Sequence, residues 1–123
     1  MQVDEYRAAF EAVASQVARD NTLSEVDVEL ARQDEKWGKQ NHPDISPALV
    51  AENDRAYYQS QADLWKTAND YRVDKGLLAW DGILLEEVFE ALAESDPAKL
   101  RAELVQVAAV AVQWIAAIDR RVA

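Results

Sequence analysis

The sequence contains no cysteine and is poor in glycine and proline, with three of each among its 123 residues. The absence of cysteine excludes disulfides, thiolate metal sites and a cysteine nucleophile. A small all-β domain needs many turns, and turns are built largely from glycine and proline. The scarcity of both residues therefore favours an all-α fold, and the length of the chain allows a single domain, residues 1–123.

Basic residues are also few, because 13 Lys and Arg stand against 23 Asp and Glu, for a formal net charge of −10. Such a surface repels a polyphosphate backbone, so we expect no binding to DNA or RNA polymers. The N-terminal segment has no basic region followed by an apolar run, so no signal peptide is predicted. The longest apolar-rich stretch, Leu104–Ile118, is shorter than a bilayer span. We therefore expect a soluble cytoplasmic protein that does not enter a membrane.

Helical periodicity dominates what is present, and it predicts an antiparallel bundle of about four to five helices. The first helix forms an N-terminal extension over residues 1–21, and a break at Asn21–Thr22 separates it from the second. A loop over Gly38–Pro47 contains the single histidine. The predicted helices are Asp4–Arg19, Ser24–Lys36, Ser46–Lys75, Ala79 or Trp80 to Ser95, and Asp96–Arg121.

The next-to-last predicted helix carries a stripe of carboxylates. Glu87, Glu90 and Glu94 follow one another at spacings of three and four, so they share one face of a helix. Glu86 lies beside them, four positions before Glu90. Carboxylates this close repel one another unless a cation or solvent relieves them.

The last predicted helix is apolar nearly all round, which is typical of a helix buried in a bundle or an oligomer. Glu103, Gln106 and Gln113 interrupt it on one stripe, and a tight hairpin would place this stripe opposite Glu87 and Glu90. Oxygen ligands from two facing helices suit Mg²⁺, with Mn²⁺ as an alternative. The other interpretation of a glutamate stripe is a solvated helix face, and spacing alone leaves both open.

These residues resemble a known signature, ExxE followed by ExxD on consecutive antiparallel helices. Glu87-Val88-Phe89-Glu90 matches the first half, and Glu103-Leu104-Val105-Gln106 matches the second half except at its last position. The chain here is similar to the MazG-like branch of the all-α NTP pyrophosphatase superfamily. The upstream segment RQDEKWGKQNHPD, residues 32–44, looks like the substrate-side motif of small members. The resemblance runs from about Glu29 to Arg120.

The resemblance implies a Mg²⁺-dependent hydrolysis of a nucleoside or deoxynucleoside triphosphate to the monophosphate and pyrophosphate, in a house-cleaning role for the nucleotide pool. It implies a homodimer or homotetramer. Glu87, Glu90 and Glu103 would be the catalytic, metal-binding carboxylates, and a metal-activated water would be the nucleophile. Glu86 and Gln106 are further candidate ligands.

Four upstream residues are the candidates for substrate binding under this resemblance. Trp37 offers a stacking surface for a nucleobase, and Lys36 offers a cation for phosphate. His42 and Arg32 are the other two candidates. The alternative for each of them is an ordinary packing or solvated role.

The sequence departs from the family pattern at Gln106, which stands where the family usually has Asp. A neutral amide oxygen can bind Mg²⁺, but it supplies no charge and does not act as a general base. The alternative function is therefore a catalytically weak or inactive nucleotide-binding protein, or a helical assembly protein.

Overall fold

The computed structural model describes residues 2–47 and 50–122 of the chain. All regular secondary structure within these ranges is helical, which confirms the all-α prediction. The described residues form four helices rather than the five of the helix-by-helix prediction. They are α1 (Val3–Trp37), α2 (Ala51–Lys75), α3 (Trp80–Ala93) and α4 (Pro97–Val122).

The predicted break at Asn21–Thr22 is wrong, because α1 runs through it without interruption. The Thr22 hydroxyl donates a hydrogen bond to the backbone oxygen of Ala18 at 3.1 Å, so its polar atom is satisfied inside the helix. Asn and Thr each cost a helix interior less than about 1 kcal/mol relative to Ala. This penalty is too small to end a helix that continues for several turns on both sides.

The predicted start of the next helix at Ser46–Pro47 is also wrong. The helix α2 begins at Ala51, and Val50 is its N-cap in an extended conformation. Residues 48 and 49 lie outside the described residues. The end of α2 at Lys75 is confirmed, because Gly76 takes the left-handed conformation, φ 69° and ψ 27°, that terminates helices and that glycine adopts most easily.

The predicted hairpin of the last two helices is confirmed. The connection between α3 and α4 is only three residues long, from Glu94 to Asp96. Asp96 Oδ2 accepts a hydrogen bond from the Lys99 backbone N–H at 3.1 Å, which caps the start of α4. Pro97 occupies the first helical turn, where its missing N–H costs nothing.

The described part of the chain divides into two compact units. The first unit contains the residues up to Asn41 and those from Ile115 onward. A cleft of about 290 Å³ lies between α1 and Ile115 in this unit. Thr22 is the buried side chain of α1.

The second unit runs from His42 to Trp114 and contains α2, α3 and the first part of α4. The helices α2 and α3 pack against each other, and Tyr58 of α2 stacks on Phe89 of α3 with ring centroids 6.4 Å apart. Trp80 and Trp114 stack in parallel at 6.3 Å and join α3 to α4.

The helix α4 is the one described helix that is long and apolar enough, by length and composition, to cross a membrane. Its 26 residues exceed the Leu104–Ile118 stretch that the sequence alone marks as apolar. The core helix of a soluble protein passes the same test. No residue of this apolar segment is fully buried within the chain, but about half of the residues from Leu104 to Ile118 are half-buried.

Candidate metal centre

Three carboxylates converge where the α3–α4 hairpin brings two helices together. Glu87 and Glu90 lie one turn apart on α3, and Glu103 lies in the second turn of α4. Each offers one oxygen, and the three oxygens all lie within 4.8 Å of one another. The predicted meeting of the two glutamate stripes is therefore confirmed for these residues, and the arrangement could hold a metal ion.

Two of these side chains are not satisfied by the protein. Glu87 Oε2 and Glu103 Oε2 are buried from solvent and have no hydrogen-bond partner among the described residues. A buried polar atom without a partner costs about 1–3 kcal/mol, and a charged one costs more. A bound cation would satisfy both oxygens at once.

The pKa values of the two α3 glutamates reflect this crowding. The pKa of Glu90 is raised to about 7, mainly by burial and then by the charges of Glu87, Glu86 and Glu103. Burial also raises the pKa of Glu87, with the charges of Glu103 and Glu86 as the next causes. Both carboxyls therefore bind a proton more readily than a free glutamate does when no cation is near.

Glu86 and Gln106, the two further candidate ligands, have surroundings different from those of the three converging glutamates. Glu86 Oε1 accepts a hydrogen bond from Asn69 Nδ2 of α2 at 2.9 Å. The side chain of Gln106 is exposed, one helical turn after Glu103. Coordination by either residue stays a prediction.

The four candidate substrate-binding residues do not all lie in the unit that carries the glutamates. Lys36 and Trp37 end α1 in the first unit, where Lys36 Nζ lies 4.8 Å from the centre of the exposed Trp37 ring. Arg32 belongs to the same unit, and His42 is exposed in the loop that begins the second unit. Substrate binding by all four stays a prediction.

Arg32 is engaged within its own helix. It forms two hydrogen bonds to the Glu29 carboxylate, Nε to Oε2 at 2.8 Å and Nη2 to Oε1 at 2.6 Å. This pairing lowers the pKa of Glu29 to about 2 and raises the pKa of Arg32. To bind phosphate, Arg32 would have to exchange an intrahelical partner for the ligand.

Sequence reasoning missed Asn69 and Gly82. They lie near the acidic cluster, which is the group formed by Glu87, Glu90 and Glu103, and Asn69 contacts Glu86, the residue before Glu87. Asn69 is only 6% exposed, and its Nδ2 donates to the Gly82 backbone oxygen and to Glu86. The spacing of Asn69 along the chain gives no sign of these contacts. The one available signal is a glycine inside the predicted helix, because such a glycine often marks a close approach between helices.

We compared the chain with protein-family models, curated proteins and solved structures, and none of them matches it. The resemblance to the MazG-like branch therefore rests on the residues of the two motifs and on the upstream segment.

Proposed function

We propose that this protein is a Mg²⁺-dependent nucleoside triphosphate pyrophosphohydrolase of the MazG-like type. The observation that carries the proposal is the convergence of Glu87, Glu90 and Glu103 within 4.8 Å, with two buried oxygens left unpaired. These are the three glutamates of the ExxE and ExxQ motifs, so motif and geometry select the same carboxylates.

A divalent cation is the ligand that suits this cluster. Burial, together with repulsion among these carboxylates, raises the pKa values of Glu87 and Glu90. Carboxylate oxygens are hard ligands that suit Mg²⁺ or Mn²⁺. When bound, such an ion supplies charge neutralisation for phosphate oxygens and lowers the pKa of a bound water.

The three glutamates that hold the cation in this proposal come from two helices. Glu87 and Glu90 offer their carboxylates from consecutive turns of α3, and Glu103 offers its own from α4. Partial burial strengthens each electrostatic interaction relative to bulk water. Gln106 follows on the next turn and contributes no charge, so the site binds its cation less tightly than a site with Asp at that position.

The substrate follows from charge as well as from the resemblance. A protein with a net charge of −10 repels a free triphosphate, and a cation at the cluster inverts the local field. Lys36, Trp37, His42 and Arg32 are the proposed contacts to the phosphates and the base. The proposed role is the removal of non-standard nucleoside triphosphates in the cytoplasm.

The proposed partner is a second copy of the chain, in a homodimer or homotetramer. Five apolar side chains of α1 recur at spacings of three and four, and each is more than half exposed. They are Val3, Tyr6, Phe10, Val13 and Val17, which we name the α1 stripe. The apolar segment of α4 also has exposed members, Leu104 and Val105, and none of its residues is fully buried within the chain. Contact with other copies would cover both surfaces, so we propose α4 as an assembly helix and not a membrane span.

The experiment that tests the function is pyrophosphate release from a panel of ribo- and deoxynucleoside triphosphates with Mg²⁺. Glu90→Gln removes one ligand charge, and Asp70→Asn is the matched control because Asp70 is an exposed carboxylate of the same unit. We expect release by wild type and by Asp70→Asn and none by Glu90→Gln. No release by folded wild-type protein from any nucleotide would overturn the catalytic proposal.

The second candidate is a nucleotide-binding protein without turnover, and Gln106 favours it. An amide in place of the usual carboxylate leaves three charged ligands and removes a candidate base. Binding of nucleotide with Mg²⁺ but without pyrophosphate release would identify this second function.

A further inference from the structure

The buried amide of Asn69 connects α2 to the helix that carries two of the converging glutamates. It lies in the C-terminal third of α2 and is 6% exposed. Its Nδ2 group donates to the backbone oxygen of Gly82 at 2.9 Å and to Glu86 Oε1 at 2.9 Å. Both hydrogens of the amide nitrogen are therefore used on α3.

The orientation of this amide is fixed by its surroundings. Both neighbours of Nδ2 are acceptors, so a flipped amide would place Oδ1 against two oxygens and lose both hydrogen bonds. Gly82 makes the close approach feasible, because a Cβ atom at this position would collide with Asn69 Oδ1. Asn69 Oδ1 itself is buried without a partner.

The hydrogen bond from Asn69 restricts the position of the Glu86 side chain. One oxygen of Glu86 is held on the α2 side by Asn69, and Glu86 lies one turn before Glu90 on α3. Ligand oxygens from Glu87, Glu90 and Glu103 lie within 4.8 Å of one another, and Glu86 is not part of this group. Glu86 therefore lies between the buried amide of Asn69 and the carboxylate of Glu90.

We propose that Asn69 is a positioning residue for the metal centre, which holds Glu86 outside the ligand set, one turn before Glu90 on α3. This inference rests on the proposed function, because it requires a divalent cation at Glu87, Glu90 and Glu103. Neighbours that orient metal ligands change metal affinity by about 10–100-fold when they are removed. Asn69 differs from such a residue in acting through one intermediate side chain, Glu86.

The test measures Mn²⁺ binding to the whole chain by electron paramagnetic resonance of the free ion, which does not depend on turnover. The variants are Asn69→Ala, Glu86→Ala and the double variant, with Asn69→Ser as a smaller change that keeps one donor. Asn53→Ala is the matched control, since Asn53 is an exposed amide in the first turns of the same helix. Circular dichroism verifies that each variant is folded.

We expect Asn69→Ala to weaken Mn²⁺ binding by about 10–100-fold, Asn69→Ser to weaken it less, and Asn53→Ala to leave it unchanged. Because Asn69 acts through Glu86, adding Asn69→Ala to Glu86→Ala should weaken binding no further. A purely structural role for Asn69 would give additive losses in the double variant, and this result would overturn the proposal.

The two proposals fail in different ways. Wild-type protein that binds no Mn²⁺ would remove the metal centre, and with it both the proposed function and the positioning role. If folded Asn69→Ala and Asn69→Ser bind Mn²⁺ as tightly as wild type does, only the role of Asn69 is overturned. The metal centre would stand in that case.

Discussion

Glu103 of α4 lies opposite Glu87 of α3, and the charge of Glu103 is, after burial, the largest cause of the raised pKa of Glu87. Each of the two side chains has a buried oxygen without a hydrogen-bond partner. The hairpin therefore holds two like charges together at the point where its helices meet. Relief of this repulsion, by a cation, a proton or a substitution, is expected to stabilise the fold.

Addition of Mg²⁺ should raise the melting temperature of the wild-type protein. A ligand that binds only the folded state stabilises it by about 2.7 kcal/mol at a concentration one hundred times its Kd. Glu90→Gln should abolish most of the rise, and Asp70→Asn should keep it. Thermal melts in MgCl₂ and in NaCl of equal ionic strength separate binding from charge screening. An equal rise in both salts would contradict the prediction.

Stability of the metal-free protein should fall as the pH rises from about 5 to 8. The pKa of Glu90 is raised from 4.5 to about 7, so the folded state holds a proton that the unfolded state has lost. This contribution is fully present below pH 4.5 and is lost as the pH rises through about 7. Urea midpoints in EDTA measure the change. In Glu90→Gln the same midpoints should vary less with pH, and an equally steep fall there would assign the effect to other groups.

Gly82→Ala should destabilise the protein by about 1–3 kcal/mol, which is the usual cost of overpacking a close contact. The added Cβ would meet Asn69 Oδ1 and the Arg72 guanidinium. The change should lower the urea midpoint without changing the slope of the transition. Gly82→Ala in an Asn69→Ala background should cost less, because the obstructing amide is then absent. An equal loss of stability in both backgrounds would show that the Asn69 amide is not the source of the strain.

Phe10→Asp should weaken self-association. Phe10 is 74% exposed in the centre of the α1 stripe, and a carboxylate there would have to lose its water in any apolar interface. Sedimentation velocity over a range of concentrations gives the oligomeric state. Ala8→Asp is the control, since Ala8 is an exposed residue outside the stripe. If Phe10→Asp and Ala8→Asp both associate as wild type does, the α1 stripe is excluded as a contact between copies.

Gln106→Asp should tighten Mg²⁺ or Mn²⁺ binding. One added negative charge about 4 Å from a cation contributes about 1 kcal/mol or more per unit of cation charge, even in bulk water. For a divalent cation this is about 2 kcal/mol, so the affinity should rise by roughly thirtyfold. Isothermal titration of wild type and variant measures the ratio. Unchanged affinity would show that residue 106 does not contribute to the metal centre.

Much of the fold could be predicted because its signals are local. Gly38, Gly76 and the Asp96–Pro97 pair end or begin helices through backbone conformation and capping, and these depend on few neighbours. The break expected at Asn21–Thr22 failed because helix propensity is a weak preference. There Thr22 satisfies its hydroxyl within α1.

The acidic cluster was predictable only in part. Glu87, Glu90 and Glu103 lie on helices joined by a short turn, so their helical faces determine where they meet. The contact of Asn69 with Gly82 depends on how α2 packs against α3, and that packing is fixed by many side chains at once. No single spacing in the sequence encodes it.

The short sequence separation between the members of the acidic cluster also affects how quickly the cluster can form. Glu87 and Glu103 are separated by only sixteen positions, and a three-residue connection joins their helices. Contacts of short sequence separation close early in folding, because little chain entropy is lost in forming the loop. The carboxylates therefore come together when one hairpin forms, and a divalent cation present during refolding should speed the appearance of this hairpin.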